Sequence, residues 1–261
     1  MHKLTTPLIV AAAALTAHGE FARQFRAKDI RGDGSWPSFN GKSQMSPVHA
    51  ANSNGWIRAV VNTSPKPHGL VSFATTPQGT PSPFEFACEA TQLVSHAFII
   101  VCADSELTAL STLISAPLVP LRLKTDADPV FGAVRASREF ATEFRGENSA
   151  VEVDGASPPL LSSGIAYRLI HCRWETPQET GRIFLGNSSA SPRWGRSWKG
   201  SGIAEVILTG DLDDAEVNAI NRYISSVYNI RGISYPDGDI PSIMRRLGLD
   251  GSWFPTMVII K

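Results

Sequence analysis

Residues 181 to 230, GRIFLGNSSASPRWGRSWKGSGIAEVILTGDLDDAEVNAINRYISSVYNI, constrain the fold of this chain more than any other stretch. They read as a strand ending in a Gly turn, a polar loop bearing tryptophan, a second strand and a helix. Ile203 to Leu208 has the β-branched content of a strand, and Gly200 and Gly202 before it supply the turn. Leu212, Ala215, Ala219, Ile220, Tyr223, Ile224 and Val227 then recur at helical spacing on one face. Asp213 suits an N-cap, and Glu216, three residues on, completes a capping box. So short a helix is marginal alone in water, so it is expected to lie against a sheet.

Ile183 to Gly186, Trp198 to Gly202, Ile203 to Leu208 and Asp213 to Tyr228 together resemble the closing portion of the LamG-like, concanavalin A-like jelly-roll domains of bacteriophage virion proteins and bacterial surface proteins. In that family a strand ending in a Gly turn leads to a Trp and Gly loop, a strand of the form Ile-Ala-Glu-Val-hydrophobic, and a helix ending in Tyr. The resemblance is specific over these residues and looser back to about Phe84. It covers neither the start of the chain nor its tail. It implies a mainly β, concanavalin A-like jelly-roll sandwich, and a fold of that kind hosts many functions.

The rest of the chain agrees with an all-β expectation. Short strand signals recur at Ala97 to Cys102, Leu113 to Leu123 broken by Pro117 and Pro120, Val130 to Ala136, Ala150 to Val153, Tyr167 to Arg173 and Arg182 to Gly186. One short helix near the C-terminal third, Asp213 to Tyr228, is expected among them. Upstream, residues 29–83 form an irregular Gly, Pro and Ser-rich segment in which Trp56 to Val61 reads as a strand and Thr75 to Pro83 as a linker. The sandwich domain is expected over 84–230. A C-terminal extension follows over 231–261, with a short helical pattern at Pro241 to Leu247 and a terminal strand at Met257 to Ile260.

Residues 1–28 are expected to form an apolar, helical arm. In one reading Thr6 caps a helix with Pro7 at its first position, running through Leu8, Ala12 and Leu15 to Phe21 and Phe25. In the other, Lys3 and the apolar run after it form a secretory signal peptide. Either way the run is too short to span a bilayer. An arm of this kind gains order by docking, and the expectation is that it docks on a neighbouring subunit, so that deleting Met1 to Arg26 leaves a folded domain that does not assemble.

Charge narrows the classes of partner. The 24 basic and 24 acidic residues cancel, so no global field draws the chain to nucleic acid or an anionic membrane. Charged residues make up 18% of the chain, below the usual level of about 25%, as suits a surface covered by neighbours. Cys88, Cys102 and Cys172 are odd in number and lie in no Cys-x-x-Cys or Cys/His cluster, which favours reduced thiols over a disulfide.

Most chemical constellations dissolve on inspection. Glu152 and Asp154 share a strand face as glycosidase carboxylates do, but Gly155, Ala156 and Ser157 follow where the resemblance requires a further carboxylate, so no hydrolysis is expected. Asp126 and Asp128 precede Pro129 and complete no calcium loop. His171 alternates with apolar neighbours and reads as a hydrogen-bonded, semi-buried side chain. Arg31-Gly32-Asp33 reads as a turn. No cofactor, metal or catalytic residue is assigned. The loop holding Arg193, Trp194, Arg196 and Trp198 is a stronger candidate: Trp and Arg favour sugar stacking or a protein interface, although Trp198 is expected to pack under the sheet. Arg193, Trp194, Arg196, Leu8 and Leu15 are therefore the candidate contact residues.

Two functions from different classes fit. The first is a structural component of a phage-like virion, in the tail, baseplate, fibre or head decoration, assembled in a host cytoplasm through contacts with other virion subunits and with copies of itself. The second is a carbohydrate-binding or adhesive module, secreted or at a bacterial surface, that takes a glycan.

Overall fold

A computed structural model describes residues 22–47, 57–58, 69–73, 84–87, 92–102, 112–116, 119–123, 131–133, 140–146, 149–152, 167–180, 183–186, 202–228 and 239–250. They are mainly β, and every strand pairing is antiparallel. The strands are β1 (Ala22–Arg26), β2 (Trp36–Pro37), β3 (Gln44–Pro47), β4 (Ile57–Arg58), β5 (Ser72–Phe73), β6 (Phe84–Ala87), β7 (Leu93–Cys102), β8 (Thr112–Ala116), β9 (Val119–Leu123), β10 (Phe131–Ala133), β11 (Phe140–Gly146), β12 (Ser149–Glu152), β13 (Tyr167–Glu179), β14 (Phe184–Leu185) and β15 (Gly202–Thr209). Two α-helices follow, α1 (Asp214–Tyr228) and α2 (Ile240–Arg246). A six-stranded sheet has the order β1-β15-β7-β13-β11-β12, and a seven-stranded sheet the order β10-β9-β8-β14-β6-β3-β2; β4 and β5 pair by themselves.

The central strands β7, β13 and β15 send apolar side chains to both faces, and each of those faces is covered. Alternate side chains of a strand point to opposite sides, so Ile99 and Val101 enter one buried cluster while Phe98 and Ile100 enter another. The first cluster draws on both large sheets, with Trp36, Met45, Leu113, Ile114 and Leu185 from the seven-stranded sheet meeting Phe25, Ile170, Trp174, Val206 and Leu208 from the six-stranded one. The second lies on the other face of the six-stranded sheet, where Ala204, Ile207 and Leu169 meet Ala219, Ile220, Tyr223 and Ile224 of α1 and Ile240 and Met244 of α2.

The helix α1 forms for the reasons legible in its sequence. Glu216 N donates to Asp213 Oδ1 at 2.8 Å, and Asp213 N donates to Glu216 Oε2 at 3.0 Å, a reciprocal capping box. Its apolar face then covers the sheet as its spacing requires. A second capped helix, α2, matches the pattern at Pro241 to Leu247: the Asp239 side chain accepts from Ser242 N at 3.2 Å. Arg246 reaches back to Glu216 at 3.0 Å and ties the two helices.

Backbone geometry explains two glycines. A Cβ on Gly202 would lie 2.7 Å from Leu70 Cβ, so the entry to β15 has room only for hydrogen. Gly186 adopts a φ of 81° as the chain leaves β14.

The amino-terminal expectation is corrected over residues 22–28. Ala22–Arg26 is a strand, not the end of a helix, and it pairs with β15 from Ala22 opposite Thr209 to Arg26 opposite Glu205. Phe25, read as a helical position, points from that strand into the cluster between the sheets. The ladder and the burial of alternate residues outweigh a weak local preference for helix. Pairing and packing run across residues 28, 83 and 230: β1 pairs with β15, β3 pairs with β6 from Gln44 opposite Ala87 to Pro47 opposite Phe84, and Met244, Leu247 and Leu249 lie in the cluster under α1.

Candidate functional site

A cluster of buried polar side chains lies where β1, β15, α1 and the turn at residues 247–250 meet. It begins with an irregularity in β15. Ile203 pairs with Val101 and Glu205 with Ile100, leaving Ala204 as an extra residue. Strict alternation would put Glu205 on the side of Ile203, between the sheets. The bulge turns it instead to the side of Ala204 and Ile207, under the helices.

There Glu205 is fully buried. Its Oε1 accepts from Gln24 Nε2 at 2.6 Å, and its Oε2 accepts from Tyr228 Oη at 2.6 Å and Tyr223 Oη at 3.3 Å. Gln24 Nε2 also donates to Tyr223 Oη at 2.8 Å, and Gln24 Oε1 accepts from Asp250 N at 2.7 Å. A buried amide is thus engaged at both ends. Next to it, Arg26 Nη1 donates to Asp250 Oδ2 at 2.5 Å and Nε to Asp29 Oδ2 at 2.6 Å, while its guanidinium carbon lies 4.4 Å from the centre of the Phe39 ring. The Arg26 carbonyl accepts from Trp36 Nε1 at 2.7 Å.

Burial dominates the electrostatics. It pushes the Glu205 carboxyl up from 4.5 to about 7, against the hydrogen bonds from Tyr228, Gln24 and Tyr223 and the charge of Arg26, all of which favour the anion. Burial and the neighbouring Glu205 hold the Tyr223 and Tyr228 hydroxyls well above the usual phenol range, so both stay protonated and able to donate.

A second buried pair lies on the same face of the sheet. His96 Nδ1 and His171 Nε2 are 3.0 Å apart, and the His171 ring stacks on Phe98 with centroids 4.1 Å apart and planes 7° apart. One ring nitrogen donates and the other accepts. His171 is therefore hydrogen-bonded, as its alternation suggests, and is buried outright.

These arrangements join elements. Glu205, Tyr223 and His171 all sit in the interior. Among the described residues no three His, Cys, Asp or Glu side chains group to hold a metal ion, and no helix is long and apolar enough to cross a membrane.

The residues singled out from sequence fall elsewhere. Leu8, Leu15, Arg193, Trp194, Arg196 and Trp198 lie outside the described residues, as do Asp126, Asp128 and Asp154. Glu152 ends β12, with Glu143 as its register partner. Arg31 to Asp33 is an exposed turn closed by Gly34 N donating to Arg31 O, and Cys172 is buried in β13. Gln24, Arg26 and Asp250 had no signal in the sequence. Glu205 had one, a carboxylate in the middle of an apolar strand. No protein-family profile, curated protein or solved structure matches the chain.

Proposed function

We propose that the chain is a structural component of a phage-like virion, in the tail, baseplate, fibre or head decoration, built on a concanavalin A-like jelly-roll sandwich and acting through contacts with other subunits and with copies of itself. The observation that carries this reading is the unit β15–α1. A strand of the sequence Ile-Ala-Glu-Val-Ile-Leu leads into a capped helix ending in Tyr228, the order the resemblance implies, and Ala219, Ile220, Tyr223 and Ile224 of that helix cover a face of the sheet. The cluster shared by the two large sheets suits a sandwich, and the low proportion of charge suits a surface covered by neighbours. Such a block needs no chemistry of its own, and the polar groups brought together at Glu205 bond to one another.

Native mass spectrometry of the full chain tests the reading. A symmetric homo-oligomer, or co-purification with particle proteins, is the expected result. A monomer that binds polysaccharide through Trp194, with binding lost in Trp194→Ala, would replace it by the carbohydrate-binding module.

A further inference from the structure

Arg31, Gly32 and Asp33 are exposed at the tip of the turn that leads into β2. Gly34 N closes the tip by donating to Arg31 O at 2.9 Å, and Arg31 N closes the base by donating to Ser35 O at 2.8 Å. Both flanks are fixed in the interior. Ile30 packs against the cluster between the sheets, Ser35 and Trp36 are buried, and Trp36 Nε1 donates to Arg26 O at 2.7 Å. The tip thus stands on a built base, which spares a partner much of the entropy of ordering it.

The fold makes little use of the two charges. Arg31 Nη1 makes one long contact, 3.5 Å, with Gln44 Oε1, and neither Arg31 nor Asp33 forms an ion pair with a described residue. Asp33 Oδ1 accepts from Ser35 N at 2.9 Å, which orients the carboxylate. Hydrogen bonding from Ser35 and the neighbouring Arg31 charge hold that carboxyl below its usual range, so it stays ionised. The two glycines of the turn differ. Gly34 has a φ of 82°, where glycine is favoured. Gly32 is not in the left-handed region, and a Cβ built on it would meet nothing within 4 Å. Alanine would fit there and would restrict the unfolded chain, so the fold gains nothing from glycine at 32. A bare backbone at that position leaves room for a partner's surface between the guanidinium and the carboxylate.

We propose that residues 31–33 are a docking turn for a receptor of the integrin type, which takes the Asp33 carboxylate as a ligand of a bound divalent cation and the Arg31 guanidinium in an acidic pocket, with Gly32 in contact between them. Each part suits that partner. A hard divalent cation prefers carboxylate oxygen, and a guanidinium pairs with carboxylates through its planar fork. Arg-Gly-Asp is also the tripeptide that receptors of this type read. The proposal is independent of the virion reading, because it concerns one surface turn of the chain, whether monomer or subunit.

Surface plasmon resonance of the full chain over an immobilised integrin ectodomain that binds a cyclic Arg-Gly-Asp peptide tests the proposal, in buffer containing manganese. The wild type is expected to bind, to be released by excess chelator and to be displaced by the peptide. Gly32→Ala should weaken binding roughly 30-fold or more, the loss expected at a hot spot, while its melting temperature stays at or above that of the wild type. Asp33→Glu, which keeps the charge and shifts it by one methylene, should weaken binding similarly. No binding by the wild type, binding that persists in chelator, or binding by both variants equal to that of the wild type overturns the proposal. Should Gly32→Ala melt lower, Asp33→Glu decides alone.

Discussion

Replacing Arg26 with Met would keep much of the side chain's volume while removing the cation that two carboxylates share. Asp250 is slightly more buried than Arg26, and its oxygen would then face a buried junction. Breaking a buried pair from one side costs about 3–5 kcal/mol, far more than the 0–1 kcal/mol of a surface ion pair. The Arg26→Met chain should show a urea midpoint lowered in proportion; a midpoint within error of the wild type would show that Asp250 is solvated. This part of the molecule was the least legible in the sequence. Nothing local announces that Gln24 and Asp250 meet, since 226 positions separate them. Glu205 was anomalous where it stood, but spacing alone assigns it to the side of Ile203, and only the extra residue Ala204 in the β15–β7 ladder sends it to the tyrosines.

At the scale of elements, sequence and structure agree for α1 and for the apolar runs that become the central strands. The spacing of α1 and its capping box are both realised, and the apolar runs at Ala97, Tyr167 and Ile203 are the three central strands. Pro120, read as a break, instead lies inside β9, and the break falls between β8 and β9. The strand β1 was hidden because Ala-Arg-Gln-Phe-Arg carries too few apolar residues to announce a strand. Gln24 and Arg26 are buried, with partners far along the chain in Glu205 and Asp250. The packing of α1 gives a sharp test. Ile220 is fully buried against the sheet, so Ile220→Asp places a carboxylate among Ala204, Ile207 and Met244. A loss of several kcal/mol is expected, read as a fall in melting temperature. An unchanged melting temperature would mean that α1 does not cover the sheet.

For the whole molecule, the structure changes which truncation is informative. Deleting Met1 to Arg26 removes β1, with Phe25 from the cluster between the sheets and Gln24 and Arg26 from the buried junction, so that deletion should abolish folding, not only assembly. Deletion of residues 1–21 spares every described contact. If the arm docks on a neighbouring subunit, that shorter deletion should give a protein with the wild-type melting temperature and fewer subunits in its native species. An unchanged number of subunits would show that assembly does not use the arm.

The fastening of β1 also bears on how the chain is made. Its ladder partner β15 lies so far downstream that Gln24 waits 181 residues for Glu205, and 226 for the amide of Asp250. At ribosomal rates of about 5–20 residues per second, 181 residues take roughly 10–40 s. During synthesis a strand with an apolar Phe25 and an open hydrogen-bonding edge therefore stands unclaimed for longer than most local structure takes to form. In a crowded polysome, the nearest alternative to its own β15 is the β15 of a chain translated slightly ahead.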